Sequence, residues 1–302
     1  MNTPSASAPE RSPMRPLYWS IRREVWENRS IYIAPLIVAA VVLFASCFSV
    51  ITLPHRLQKL PLNDPKMHAT IVRPFSLAPA PIIFVTLIVG LFYSLDALYG
   101  ERRDRSVLFW KSLPVSDRTA VLSKVSIPLI VLPVVGFVLG QITQLILLLL
   151  STMVMPAHGM SPATVLGEFH WFQELFVMIY GLTVHALWFV PIYAWLLLVS
   201  AWARRTPLLW AALPPVVILM LEKMIFNTTY FINLLKYRFT GAMIEAFGLD
   251  PANHNNSSGV IDRIGQLTPL RFLSAPGLWL GLLFAAACLI AAIRLRHNRE
   301  PI

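Results

Sequence analysis

VSIPLIVLPVVGFVLGQITQLILLLLSTMVM, residues 125–155, carries no charged side chain over its whole length. A helix crosses the hydrocarbon core of a bilayer with about 20 apolar residues, so this stretch spans with length to spare. Residues 31–53 are likewise uncharged, and 79–98 carry only Asp96 near their end. Residues 175–202 and 273–293 read the same way. Residues 206–226 are interrupted by Pro214 and Pro215 and hold Glu222 and Lys223 near their end. The sequence therefore predicts an all-α membrane protein with six transmembrane helices, at about 31–53, 79–98, 125–155, 175–202, 206–226 and 273–293.

Composition agrees. The 302 residues are 56% hydrophobic and 13% charged, with a mean hydropathy of +0.64. A soluble domain carries roughly 25% charged residues. The net charge of +10 would suggest nucleic acid in a soluble chain. Here the basic residues sit beside apolar spans, where they contact anionic lipid and set topology, so membrane lipid and not nucleic acid is the expected partner. Segments 1–30, 99–124, 203–205 and 294–302 hold sixteen of the 25 Lys and Arg. The positive-inside rule then places both termini in the cytoplasm. Cys47 and Cys288 fall at different depths of the first and sixth spans, which argues against a disulfide.

The stretch at Ile31 is too long for the apolar region of a signal peptide and starts too far along the chain; it reads as a retained span. Residues 1–16, rich in Ser, Pro and Ala, read as a disordered cytoplasmic tail. Residues 17–30 repeat Leu17, Ile21 and Val25 every fourth position, with Trp19 and Trp26 as interface anchors. They predict an amphipathic helix at the membrane surface, with Arg22, Arg23, Glu24 and Glu27 facing away from the apolar stripe.

Between the second and third spans lies YGERRDRSVLFWKSLPVSDRTAVLSK, residues 99–124. A charge run from Glu101 to Arg105 leads into the apolar Val107, Leu108, Phe109 and Trp110. Pro114 ends any helix there, and Ser116 or Asp117 caps the next one. Four consecutive apolar residues need a covering surface. That surface is either the membrane or another protein. Asp96 is expected to join the charge cluster through Arg102 or Arg103. In the long segment 227–272, Tyr230–Leu235 and Ala242–Leu249 read as short helices and 253–259 as a polar turn.

Gly100-Glu101-Arg102, Leu113-Pro114-Val115-Ser116 and Lys124 together resemble a permease of the type-2 ABC transporter class. The likeness covers about 26 residues as a motif and most of the chain as a plan. One departure is segment 54–78, whose four basic residues are unusual for a short outer loop. The resemblance implies the membrane subunit of an ABC exporter, whose segment after the second span is a cytoplasmic coupling helix docked on a separate ATPase. By that implication Val107, Leu108, Phe109 and Trp110 enter the ATPase cleft, ringed by Glu101, Arg102, Arg103 and Asp104. Two ATPase subunits carrying ATP and Mg, and a second permease copy, identical or homologous, are the implied partners. The chain itself lacks a phosphate-binding Gly-x-x-x-x-Gly-Lys-Ser/Thr, so no cofactor of its own is expected.

Polar groups inside lipid are costly. Gln141 and Gln144 share one face of the third span and, with His185 in the fourth, are candidates for a substrate path. The plainer reading is a hydrogen-bonded interhelical pair and a bundle histidine. No metal motif or nucleophile elbow occurs, so the chain is not expected to be an enzyme. Two alternatives to the exporter stand: an ATP-independent channel or secondary transporter, which would want an acid deep in a span, and a non-transporting membrane sensor subunit. The broadly apolar spans favour an amphipathic or lipid-like substrate, exported across the inner (plasma) membrane.

Overall fold

Backbone polar groups in lipid must be satisfied within the protein, which a helix does within its own segment and a closed barrel between strands. The computed structural model describes residues 14–59, 66–104, 116–248, 265 and 267–298, and among these there is no strand. Six helical stretches are long and apolar enough to cross a membrane: Ser30–Gln58, Met67–Arg103, Asp117–Ala157, Trp171–Trp202, Pro207–Phe226 and Pro276–Asn298.

The chain opens with α1 (Met14–Glu27), followed by α2 (Ser30–Ile51), the first span. The described residues of segment 54–78 form two helices, α3 (Leu53–Gln58) and α4 (Lys66–Ser76), leading into α5 (Pro79–Asp96), the second span. Leu53, Ile71 and Phe75 bury against Leu147, Met155 and Phe169. The Phe75 and Phe169 rings lie 5.0 Å apart. His68 Nδ1 meets Glu168 at 2.7 Å, and the Ser76 hydroxyl donates to Glu174. This cap closes one end of the bundle, together with α9 (Ala163–Glu168).

After α6 (Tyr99–Arg103), the third span is one helical rod in three parts. These are α7 (Asp117–Ser126), a π-turn (Ile127–Val131) and α8 (Leu132–Ala157). The wide turn falls where Pro128 and Pro133 each remove a backbone donor. The Pro133 ring would press on the carbonyl four residues back in a regular α-helix, and a π-turn relieves both. Gly136 and Gly140 lie one turn apart and let α5 approach closely. A Cβ at Gly136 would stand 3.1 Å from Thr86 Cγ2, and one at Gly140 3.0 Å from Pro79 Cβ. Small residues spaced this way are the usual means of close helix approach in lipid.

The fourth span, α10 (Trp171–Trp202), packs most extensively on the sixth, α14 (Pro276–Asn298). The fifth, α11 (Pro207–Leu221), runs through Pro214 and Pro215 without leaving the α-helix and buries only Ala211. A second π-turn, Glu222–Phe226, ends it. The segment beyond holds one continuous helix, α12 (Tyr230–Phe247), where the sequence predicted two short ones. Its start is held by Glu222, whose carboxylate accepts from the Thr228 hydroxyl at 2.8 Å and the N–H groups of Tyr230 and Phe231 at 2.6 and 2.9 Å. An acid at a helix N-terminus satisfies orphan donors and the dipole together. Gly248, at φ 62°, ends the helix. The polar stretch 253–259 lies outside the described residues. The short α13 (Pro269–Ser274) then precedes the sixth span, which begins at Pro276 and runs on to Asn298.

Filling the close approach of α5 and α8 is a direct test of this packing. Gly140→Leu is expected to lower stability by about 1–3 kcal/mol through overpacking, read as an earlier thermal unfolding in detergent. Ile142→Leu on the exposed flank of the same helix should leave the transition in place.

Candidate functional site

At the end of the bundle opposite the cap, five elements converge on a buried set of charges. Ser116 caps α7, its hydroxyl accepting from the Thr119 N–H at 3.2 Å. That fixes the phase of the helix, so Asp117 and, two turns on, Lys124 face the same side. Lys124 is 3% exposed. Its ammonium lies 2.9 Å from Glu24 Oε1 and 3.1 Å from Glu101 Oε1. Glu24, 2% exposed, also accepts from Tyr93 Oη at 2.7 Å and Arg23 Nη2 at 2.8 Å. Glu101 Oε2 takes Arg296 Nη1 at 3.1 Å, and Arg296 Nε reaches Asp117 Oδ1 at 3.2 Å. These three carboxylates and three cations, from α1, α6, α7 and α14, match in number, with the α5 phenol as a neutral donor and Glu27 as a further, exposed carboxylate 3.4 Å from Arg23 Nε.

Glu24 therefore faces inward, contrary to the expectation that it lies on the polar side of α1. Ile21 and Val25 pack around Ile31, Tyr93, Ile127 and Leu132, so the apolar stripe of α1 rests on the bundle. Trp19 and Trp26 are exposed. Burial pushes the Glu24 carboxyl up, but the Lys124 charge, the hydrogen bonds from Lys124 and Tyr93, and the Arg23 charge outweigh it. The net effect holds this carboxyl below its ordinary value of 4.5.

Glu101 and Arg102, expected as polar contacts for an ATPase, are turned into the protein. Arg102 is buried and donates to the carbonyls of Ser200 at 2.8 Å and Ala203 at 2.6 Å. The Ser200 hydroxyl in turn accepts the N–H groups of Leu98 and Tyr99 at 3.0 and 2.9 Å. Each partner satisfies the other's helix end: the cation sits at the carboxyl end of α10, and the hydroxyl at the amino end of α6. Arg103 and Asp104 pair with each other at 3.0 Å and are more than half exposed. Asp96 is exposed and makes no ion pair among the described residues. Val107, Leu108, Phe109 and Trp110 lie outside the described residues.

The other candidates sit apart from this network. Gln141 Nε2 donates to Gln144 Oε1 at 3.0 Å, and Gln144 Nε2 to the Phe75 carbonyl at 3.3 Å. Both are buried; their mutual bond lies within α8, and the bond from Gln144 to Phe75 ties α8 to α4. His185 stacks on Phe189 at 5.1 Å and meets Tyr193 Oη at 3.3 Å. No hydrogen bond or ring contact joins it to either glutamine. Cys47 and Cys288 are free thiols. No group of three or more His, Cys, Asp or Glu able to hold a metal occurs among the described residues. Compared with protein families, curated proteins and solved structures, the chain matches none.

Sequence reasoning located Glu101 and Lys124 but missed Arg23, Glu24 and Arg296 as their partners, and Tyr93 and Asp117 as the groups that extend the set. One signal was present: Glu24 falls between Ile21 and Val25 on the very stripe that packs.

Lys124→Met removes the buried cation between Glu24 and Glu101 and leaves them bridged by the more exposed Arg23, at 2.8 and 3.3 Å. The expected cost is about 3–5 kcal/mol, the usual penalty for breaking a buried ion pair, read by thermal unfolding. Glu24→Gln should cost less, because Glu101 still neutralises Lys124. The depressed pKa of Glu24 stabilises the fold above the ordinary glutamate value. That contribution is lost as pH falls from 4.5 through the lower native value. Wild type should therefore lose stability more steeply across that acid range than Glu24→Gln; parallel curves would show that Glu24 does not titrate as described.

Proposed function

We propose that this chain is the membrane subunit of an ATP-driven ABC exporter, taking its energy from a separate ATPase. The observation that carries this reading is the placement of the ion network. It joins α1, the end of the second span, the start of the third and the end of the sixth, and residues 105–115 run between two of those anchored elements. A force applied to that segment by a partner would be delivered to three spans at once, because the charges that link them are costly to separate. A cytoplasmic coupling helix at 99–124, an interfacial role for α1 and cytoplasmic termini follow from this reading and from the distribution of Lys and Arg.

The inward turn of Glu101 and Arg102 narrows the docking face. Arg103 and Asp104 would supply its polar rim, with Val107, Leu108, Phe109 and Trp110 at its centre. Six spans make half of a transport path in this class, so a second copy, identical or homologous, completes it. The fifth span supports this, since its apolar side chains from Leu208 to Leu221 are largely exposed. The cargo is an amphipathic or lipid-like molecule, and ATP with Mg is bound by two ATPase subunits.

Co-purification in detergent with the ATPase encoded nearest to this gene tests the reading. Wild type should retain the ATPase, and the Phe109→Glu, Trp110→Glu double variant should lose it while unfolding at the same temperature. Failure of wild type to bind an ATPase in any nucleotide state would move a channel or secondary transporter to the front.

A further inference from the structure

Arg238 on α12 is a part-buried cation set against the fourth span. Its guanidinium carbon sits 4.9 Å from the centre of the Trp188 ring, half-way along the fourth span. The Trp188 indole N–H donates to the Arg238 carbonyl at 2.8 Å, fixing the residue in place. Nη1 donates to the Gly277 carbonyl at 3.1 Å. On its other face the guanidinium rests on Gly281, where a Cβ would stand 2.7 Å from Nη1. Gly281 thus makes room for the cation, while Gly277, one helical turn earlier, makes room for the Tyr237 ring beside it.

No carboxylate pairs with this cation among the described residues. The single acid on α12, Glu245, is taken by Arg271 Nε at 3.0 Å and Tyr237 Oη at 3.2 Å. Nε and Nη2 of Arg238 are both buried and have no hydrogen-bond partner among the described residues. These two donors form the fork with which a guanidinium grips a carboxylate or a phosphate through two parallel hydrogen bonds. A charge at this depth without a counter-ion is expensive. Beside it, Leu280 and Leu283 on α14 and Phe239 on α12 are exposed apolar side chains. Contacts of α12 run chiefly to α10 and α13 and are sparse to α14, so a small shift of α12 uncovers the fork.

We propose that the Nε–Nη2 edge of Arg238 binds the oxyanion headgroup of an amphiphile, whose apolar part lies along the exposed flank of α14. The site requires no ATPase, so it stands or falls separately from the exporter reading.

The test uses the full chain, purified and delipidated, with native mass spectrometry in phosphatidylglycerol or phosphatidylcholine. Wild type should retain phosphatidylglycerol selectively. Arg238→Gln should weaken that retention roughly tenfold or more, the scale of lost charge-assisted hydrogen bonds, and Arg238→Lys should fall between. A parallel arm adds inorganic phosphate alone: protection from thermal unfolding in wild type but not Arg238→Gln identifies a free oxyanion as sufficient. Protection by lipid only assigns the site to a membrane amphiphile. Equal lipid preference and equal phosphate response in wild type and Arg238→Gln would overturn the proposal. On wild type alone, phenylglyoxal modification of Arg238, read on the peptide, should be blocked by phosphatidylglycerol and not by phosphatidylcholine. Equal modification in both lipids, or none in either, would overturn it too, whatever the folding of the variants.

Discussion

Lys124 is a full positive charge sealed from water, and the lower half of the molecule is arranged around that fact. An ammonium moved from water into a protein interior loses several kcal/mol of solvation even after relaxation. The loss is tolerable only where counter-charges stand at contact distance. Glu24 and Glu101 provide them; Arg23 shares Glu24 Oε1 with Lys124, and the remaining oxygens are taken by Tyr93 on Glu24 and Arg296 on Glu101. The requirement propagates outward until Asp117 closes the set near the surface. Elements far apart in sequence are held together here by neutralisation added to apolar contact, and in lipid apolar contact alone offers little preference of one helix for another.

The two ends of the bundle are consequently built on different principles. At one, Leu53, Ile71, Phe75, Leu147, Met155 and Phe169 form an apolar plug under α3 and α4. At the other, ions and helix-end hydrogen bonds do the joining, and Arg102 and Ser200 exchange caps between α6 and α10. Apolar plugs deform with small losses per atom. Charge networks hold one geometry and resist every other.

The spans were legible because hydropathy over about 20 residues is a strong signal. Their starts and ends were less so: Pro276, not the apolar run at Leu273, sets where the sixth begins. The single helix α12 was misread as two because Lys236, Arg238 and Glu245 interrupt its apolar pattern. Nothing local reveals that Arg238 stacks on Trp188 or that Glu245 is held by Arg271. The ion network was the least legible feature. Glu24, Glu101, Lys124 and Arg296 come from four separate segments, and a single sequence gives no measure of which distant charges meet. Glu101 and Arg102 looked like surface contacts because a dense charge run beside a span ordinarily is one. Only the fold shows that Glu101 and Arg102 point inward while Arg103 and Asp104, next in the run, point out.

The π-turn at Ile127–Val131 has a further consequence for the third span. One extra residue in a turn advances everything beyond it by about 100° around the helix axis. Lys124 lies before the turn and Gly136, Gly140 and Gln144 lie after it. Their angular relation is therefore set by the turn and not by the spacing that an unbroken α-helix would impose. The rod behaves as two helices clutched end to end, the first indexed to the charges and the second to the α5 crossing. Were the turn to tighten to a regular α-helix, both could not stay in register, so a rotation begun at Lys124 would have to either stop at the clutch or turn the whole of the membrane-embedded half.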